Sequence, residues 1–173
     1  MNKIGLFYGP LGGSVEKVAG MIAQQIGTHK VDVIKVKDLE IEVLKQYSHI
    51  IMGISTLGKH VWSSEYENTD WDDFMPKLKK LDLSGTKVAI FGLGDHIGYA
   101  DHFVDAIGDL AAVVMECGGE LVGRCITEDY EFNESRAVHE GFFLGLPLDE
   151  DYEPEKTAGR IDKWIEKLMV EFL

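Results

Sequence analysis

A glycine-rich segment near the amino terminus is the first part of the sequence that could bind a ligand. The residues Gly9-Pro10-Leu11-Gly12-Gly13-Ser14-Val15 lead directly into an amphipathic helical pattern. A glycine-rich turn at a helix start presents free backbone N–H groups at the positive end of the helix dipole, so it can bind a phosphate without Lys or Arg. The same residues also fit a plain tight turn in which Ser14 is the helix N-cap.

A second glycine-rich segment, Gly92-Leu93-Gly94-Asp95-His96-Ile97-Gly98, lies in the middle of the chain. It follows the fourth predicted strand rather than the first, so it fits a dinucleotide-binding fingerprint poorly. The sequence also lacks the Gly-Lys-Ser/Thr of a nucleoside triphosphatase loop. Cys117 and Cys125 lack the spacing of a zinc site or a disulfide framework, and we expect both to be core thiols without a metal.

The elements that must position these segments can be read from hydrophobic periodicity, because apolar runs of strand length alternate with helical patterns. The predicted strands are Lys3–Tyr8, Val31–Val36, His49–Ser55, Lys87–Gly92 and Glu120–Ile126, the last with a continuation at Phe142–Leu146. The predicted helices are Ser14–Ile26, a weak one at Glu42–Tyr47, Asp72–Leu78, Asp101–Cys117 and Glu155–Phe172.

Strands that are apolar on both faces predict a parallel α/β sheet with helices on each side. In a chain of 173 residues, this pattern favours a doubly wound sheet of order 2-1-3-4-5. Ligands of such sheets bind beyond the carboxyl ends of the strands, at the switch point between strands 1 and 3. The loops after strands 1, 3 and 4 are therefore the expected binding loops.

Two polar segments stand out in the last third of the chain. Thr127–Gly141 interrupts the fifth strand, and its length suits a functional loop, a small docking surface or plain structural filling. The acidic segment Asp149–Glu155 is expected to be a solvated turn that leads into the last helix.

The charge of the chain restricts its partners. The sequence has 17 Lys and Arg against 30 Asp and Glu, which gives a net charge of −13. This charge disfavours nucleic acid and anionic membranes and favours proteins with basic docking surfaces. No apolar run reaches the roughly 20 residues that span a bilayer, and the amino terminus lacks a secretory pattern. We expect a cytoplasmic monomer with one domain over residues 1–173.

Several motifs together resemble the long-chain flavodoxin family. Phe91–Phe103 is similar to that family's flavin-ring loop, and Asp70–Phe74 to the start of its third helix. Gly118–Gly123, Tyr130–Ser135 and Phe143–Asp151 resemble its split fifth strand and inserted loop, so the resemblance covers nearly the whole chain. It implies a flavodoxin-like three-layer α/β/α sandwich. The five-stranded parallel sheet would have the order 2-1-3-4-5, with the fifth strand interrupted by a long loop.

The resemblance implies an FMN-binding, low-potential carrier of single electrons between a flavodoxin reductase and acceptor enzymes, without catalytic residues of its own. The first loop would hold the phosphate, and the loops after strands 3 and 4 would enclose the isoalloxazine ring. Tyr99 would stack on one ring face, and backbone groups near Gly94 and Asp95 would contact the pyrimidine edge. The candidate FMN-binding residues are Pro10, Leu11, Gly12, Gly13, Ser14, Val15, Thr56, Leu57, Gly58, Gly92, Leu93, Gly94, Asp95 and Tyr99.

The first loop departs from the family pattern, which resembles Thr-x-Thr-Gly-x-Thr. The hydroxyl positions are Pro10, Gly12 and Val15 here, so only Gly13 and a neighbouring hydroxyl at Ser14 remain. A hydrogen bond to a charged group contributes roughly 1.5–3 kcal/mol, so losing two or three would weaken FMN binding by about two to five orders of magnitude. Backbone N–H groups of the glycines could compensate.

The loop after strand 3 also departs from the family, because Thr56-Leu57-Gly58 stands where a Thr-Trp pair is usual and the loop is longer. Leu57 could pack on the ring, or His60 or Trp62 could fold over it, while Trp62 equally fits a surface or helix-packing role. Gly58 suits a peptide flip toward the flavin or an ordinary turn.

These departures keep two other hypotheses open. The first is a flavodoxin-fold protein whose degenerate FMN site now serves a binding or regulatory module. The second is a flavin-dependent enzyme with a substrate pocket around Lys59, His60 and His96.

Overall fold

The computed structural model describes residues 2–56 and 69–173, and within them strands and helices alternate along the chain. The main strands are β1 (Ile4–Tyr8), β2 (Val31–Lys35), β3 (His49–Ser55), β4 (Lys87–Leu93) and β5 (Glu120–Val122). Short strands follow at β6 (Cys125–Ile126), β7 (Val138–His139), β8 (Phe142–Phe143) and β9 (Leu146–Leu148). The helices are α1 (Ser14–Ile26), α2 (Thr69–Leu78), α3 (Asp105–Glu116), α4 (Pro154–Glu171) and a 3-10 turn at Ile41–Gln46.

The main sheet has the predicted order β2-β1-β3-β4-β5, and all of its strand pairs are parallel. β1 lies between β2 and β3, so the chain reverses its direction of winding at β1 and leaves a switch point between β1 and β3. The register pairs Tyr8 with Gly53 and Ser55 with Leu93. The ends of β1, β3 and β4 therefore meet at one edge of the sheet.

Helices cover both faces of the sheet because each central strand is apolar on both sides. Met52 and Ile90 face a core layer with Trp71 of α2 and Leu110 of α3. Their neighbours along the strands point the other way and form a second layer, which includes Ile22 of α1 and Trp164 of α4. This double coverage confirms the predicted α/β/α sandwich.

The fifth position of the sheet is shared by two short strands. β5 pairs with residues 87–89 in the first half of β4, and β9 pairs with residues 91–93 in the second half. Between them the chain leaves the sheet and forms a small antiparallel sheet of order β6-β8-β7. The predicted interruption is confirmed, but Cys125 and Ile126 pair with Phe142 and Phe143 in this second sheet. The predicted bounds Glu120–Ile126 and Phe142–Leu146 are therefore wrong at these four residues, and the continuation of the fifth strand is Leu146–Leu148.

The inserted segment packs closely against α3. A Cβ atom at Gly108 of α3 would lie 2.3 Å from the carbonyl oxygen of Arg136, so only glycine allows this approach. Asp105, at the start of α3, accepts a hydrogen bond from the backbone N–H of Arg136 at 2.7 Å. The predicted start of this helix at Asp101 is wrong, because residues 97–103 form turns in which His102 N–H donates to the Tyr99 carbonyl at 3.0 Å.

Candidate functional site

The first loop runs from the end of β1 to α1, and most of its backbone donors have no partner among the described residues. Gly13 is the N-cap of α1, and no side chain caps this end of the helix. The open space around Gly12 and Gly13 would let an anion approach the backbone, since a Cβ at either position would meet no atom within 4 Å. In this loop and the first turn of α1, five backbone N–H groups form no hydrogen bond with any described residue, those of Leu11, Gly13, Ser14, Val15 and Glu16.

One donor of this loop is occupied by a carboxylate that the sequence analysis missed. Gly12 N–H donates to Glu16 Oε2 at 2.9 Å, and the Tyr8 hydroxyl donates to Glu16 Oε1 at 2.8 Å. The hydrogen bond from Tyr8, and then that from Gly12, hold the pKa of Glu16 below its usual value. Burial, followed by the hydrogen bond to Glu16, raises the pKa of Tyr8 to about 12. A negative charge therefore stands beside the free donors.

The residues that replace the family's hydroxyls have different surroundings. Val15 is 2% exposed and packs in the core layer with α1 and β1, so its side chain serves the fold. Gly12 has a φ of +76°, a conformation that disfavours threonine. Pro10 is half-buried, while Leu11 and Ser14 are exposed. The helix start therefore offers backbone N–H groups, rather than side-chain hydroxyls, to an anion.

The second loop connects β3 to α2, and only its first residue is described. Thr56 is 5% exposed, its N–H donates to the Leu93 carbonyl, and its hydroxyl accepts a hydrogen bond from Ala106 N–H at 3.1 Å. This hydroxyl joins the end of β3 to the start of α3. Leu57 and Gly58, with the alternatives at Lys59, His60 and Trp62, lie outside the described residues.

The third loop follows β4 and includes the predicted pyrimidine-edge residues. Gly92 and Leu93 end the strand and are buried. Gly94 N–H donates to the Leu148 carbonyl at 3.0 Å, and a Cβ at Gly94 would lie 2.9 Å from Val104 Cγ1, so the approach of this loop to the start of α3 requires glycine. Tyr99 is half-buried at the far end of the loop.

Hydrogen bonds within the third loop leave one donor free. Asp95 Oδ1 accepts from the N–H groups of Ile97 and Gly98, and the Asp95 carbonyl accepts from Tyr99 N–H. His96 N–H donates to Asp149 Oδ2 at 3.0 Å. Between Gly94 and Tyr99, the N–H of Asp95 alone forms no hydrogen bond with a described residue. It is the donor that the loop can offer to a ligand.

Asp149 is buried, so the expectation of a wholly solvated acidic turn is wrong at this position. Its side chain is 0% exposed, and its oxygens accept hydrogen bonds from His96, Asp151 and Tyr152. Burial raises the pKa of Asp149, but these hydrogen bonds outweigh burial, and the pKa lies below its usual value. Its place at the start of an acidic segment, directly after Leu148, gave no sign of this role.

The described residues offer few other chemistries. Residues 2–56 and 69–173 contain no group of three or more His, Cys, Asp or Glu side chains that could hold a metal ion. Within the same ranges, no helix is long and apolar enough to cross a membrane. Cys117 is buried, and burial raises the pKa of the Cys125 thiol to about 12, which makes it a poor nucleophile.

A parallel sheet of order 2-1-3-4-5 with helices on both faces defines the flavodoxin-like class of doubly wound α/β proteins. The flavodoxin family model matches residues 6–164. The chain belongs to the flavodoxin family, and its interrupted fifth strand agrees with the long-chain form.

Similar proteins cover nearly the whole chain. A flavodoxin from Synechocystis sp. is 40% identical over 169 residues, which is 97% of this chain and 96% of that protein. Flavodoxin 1 from Escherichia coli is 36% identical and covers 96% of this chain and 93% of its own length. The crystal structure of Fusobacterium nucleatum flavodoxin bound to flavin mononucleotide superposes with a TM-score of 0.89 at 27% identity, over all of both chains.

Proposed function

We propose that this protein binds FMN across its three loops and carries single electrons at low potential between redox proteins, without catalysing a reaction of its own. The observation that carries the proposal is the free donors at two places on one edge of the sheet. The helix start at Gly13 suits the phosphate, and the Asp95 N–H suits a carbonyl or ring nitrogen acceptor of the flavin. Membership of the flavodoxin family supports the same cofactor.

The protein holds the cofactor while FMN supplies the electron-carrying chemistry. Backbone N–H groups of residues 11–16 bind the phosphate, and Ser14 adds a hydroxyl donor. Lys17, which follows the loop, is already paired with Glu150 at 2.8 Å. Phosphate binding thus depends on backbone donors and on the dipole of α1. Tyr99 covers one face of the ring.

Negative charge near the third loop favours a low reduction potential of the bound flavin. Burial, followed by the charges of Asp149, Asp95 and Glu150, raises the pKa of Asp151. The same negative field opposes the extra negative charge of a reduced flavin. Together with the net charge of −13, it favours giving the electron to a partner.

The partners are a flavodoxin reductase and acceptor enzymes with basic docking surfaces. The acidic surface attracts such partners over long range, so the encounters are fast, weak and sensitive to salt. We also propose a cytoplasmic monomer with one domain. Its two unpaired cysteines suit a reducing compartment.

A visible absorption spectrum tests the proposal directly. The purified protein is measured before and after incubation with excess FMN and desalting, and the loaded sample is titrated with dithionite. Retained flavin bands and reduction in two separate one-electron steps are the expected results. A protein that retains no flavin after loading would favour the alternative, a flavodoxin fold with a degenerate site that serves binding or regulation. The carboxylate of Glu16 on Gly12 N–H and the missing hydroxyls are the observations behind that alternative.

A further inference from the structure

The N–H of Asp95, which bonds to no described residue, is flanked on both sides by hydrogen bonds to one short segment. The preceding residue, Gly94, donates to the carbonyl of Leu148, and the following residue, His96, donates to the side chain of Asp149. Leu148 is the last residue of β9, and Asp149 follows it. The end of the split fifth strand therefore fixes the peptide that carries this donor.

His96 is attached to Asp149 twice. Its backbone N–H and its ring Nδ1 both contact Asp149 Oδ2. Because Asp149 is ionised and can only accept, Nδ1 must carry the proton, whichever charge the ring has. The imidazole is 12% exposed and packs edge-on against Phe103 and Tyr152, with ring centroids 6.3 and 6.1 Å away.

The second carboxylate oxygen of Asp149, Oδ1, binds the turn that leads into α4. Asp149 Oδ1 accepts from the N–H groups of Asp151 and Tyr152, both at 2.9 Å. One buried carboxylate therefore ties the third loop to the turn before α4.

We infer that His96 and Asp149 are a pair of positioning residues for the flavin ring. They hold the Asp95 N–H where it can donate to the pyrimidine edge, and they touch neither the phosphate nor the electron-transfer partner. This inference rests on the proposed FMN site. It assigns to the imidazole of His96 a structural donor role, and it separates ring binding from phosphate binding within that site.

Two flavins separate these roles experimentally. Riboflavin has the ring without the phosphate, so a residue that positions the ring affects both ligands, and a phosphate-loop residue affects FMN alone. Dissociation constants from flavin fluorescence quenching are compared for the wild type, His96→Leu, His96→Asn and Ser14→Ala. The asparagine is the matched variant because its Nδ2–H₂ group can donate from nearly the same place as the imidazole Nδ1.

We expect His96→Leu to weaken the binding of FMN and of riboflavin by the same factor, about tenfold, because the buried Asp149 carboxylate loses a hydrogen-bond donor. His96→Asn should restore both affinities to within about threefold of the wild type. Ser14→Ala should weaken FMN and leave riboflavin unchanged. Unchanged riboflavin affinity in His96→Leu, or an asparagine variant as weak as the leucine variant, overturns the inference.

Folding and the proposed function are checked separately. Near-ultraviolet circular dichroism shows whether each variant is folded. If His96→Leu fails to fold, ¹H–¹⁵N spectra of the wild type and of His96→Asn provide the test. Riboflavin should shift the Asp95 amide signal in both proteins. An Asp95 signal that does not move overturns the inference. A wild type that binds neither flavin overturns the proposed function itself, whereas a wild type and a His96→Leu variant that bind equally overturn only the positioning role.

Discussion

Glu16 places a carboxylate at the mouth of the first loop, where a phosphate would bring a second negative charge. It accepts from Gly12 N–H and the Tyr8 hydroxyl, so it also orders the loop. The two effects oppose each other in FMN binding. In an amide variant the single carbonyl oxygen can still accept from Gly12 N–H, and the amide N–H₂ can donate to the Tyr8 hydroxyl, so ordering of the loop is retained while the charge repulsion is removed.

We therefore expect Glu16→Gln to tighten FMN binding by about threefold at low salt, with a gain that shrinks as salt screens the charges. Riboflavin affinity should stay constant, because riboflavin has no phosphate. Glu155→Gln, in the first turn of α4, is the matched control for a change of net charge. Weaker FMN binding by Glu16→Gln would mean that ordering of the loop by the carboxylate exceeds its repulsion.

Tyr99 lies half-buried at the end of the third loop, where a ring could stack on it. We expect Tyr99→Ala to weaken FMN binding by about tenfold, because aromatic stacking contributes about 0.5–1.5 kcal/mol beyond the area it buries. The flavin absorbance bands should shift as well. Tyr99→Phe retains the ring and should behave as the wild type. If Tyr99→Ala changes neither the affinity nor the spectrum, the assignment of Tyr99 is in error.

At the scale of elements, the contact between α3 and the inserted segment depends on a missing side chain. Gly108 lies inside a helix, where glycine is less stable than alanine by about 1 kcal/mol. The close approach of the Arg136 carbonyl explains why glycine stands there. Asp105 and Asp109 bind the Arg136 guanidinium on the same side of the helix.

The glycines of α3 and α4 should respond to alanine with opposite signs. Gly108→Ala should lower the free energy of unfolding by about 1–3 kcal/mol, since its Cβ forces the inserted segment away. Gly159→Ala in α4 should raise it by about 0.5–1 kcal/mol, because a Cβ there meets no atom within 4 Å. Urea unfolding measures both. A stabilised Gly108→Ala would show that the insert can move away at little cost.

At the scale of the whole molecule, buried weak acids make the fold sensitive to alkali. Burial raises the pKa of Cys125 from 9.0 to about 12, and burial raises that of Tyr8 from 10.0 to about 12. Well below pH 9, at about pH 7–8, both groups are mostly protonated in the folded and unfolded chains, and their contribution is present almost in full. As the pH rises toward 12, the unfolded chain loses these protons first, so stability falls.

Cys125→Ala should therefore flatten this alkaline loss. Between about pH 9.5 and 11.5, the wild type should lose up to about 1.4 kcal/mol per pH unit more than the variant, because one proton separates the two states. Chemical unfolding of both proteins at a series of pH values measures the difference. Parallel curves would indicate that the Cys125 thiol ionises as easily in the folded chain as in the unfolded one.

The sequence by itself determined the layers of this protein and the positions of the three loops to which we assign the ligand. Apolar runs without alternation give buried parallel strands, and the bounds of Ser14–Ile26 and His49–Ser55 match the observed elements. Glycine followed by a helix pattern located the first loop. These features depend on neighbours within a few residues, so local periodicity contains them.

Only the tertiary structure decided which polar groups form hydrogen bonds within the described residues and which do not. Asp149 looked like one more residue of an acidic turn, yet it is buried against His96, 53 positions away in the sequence. The N–H groups on either side of Asp95 bond to Leu148 and Asp149, whereas that of Asp95 bonds to no described residue. Such partnerships depend on packing between distant segments, because a buried polar group must find its donors wherever the fold brings them. No local pattern records that outcome.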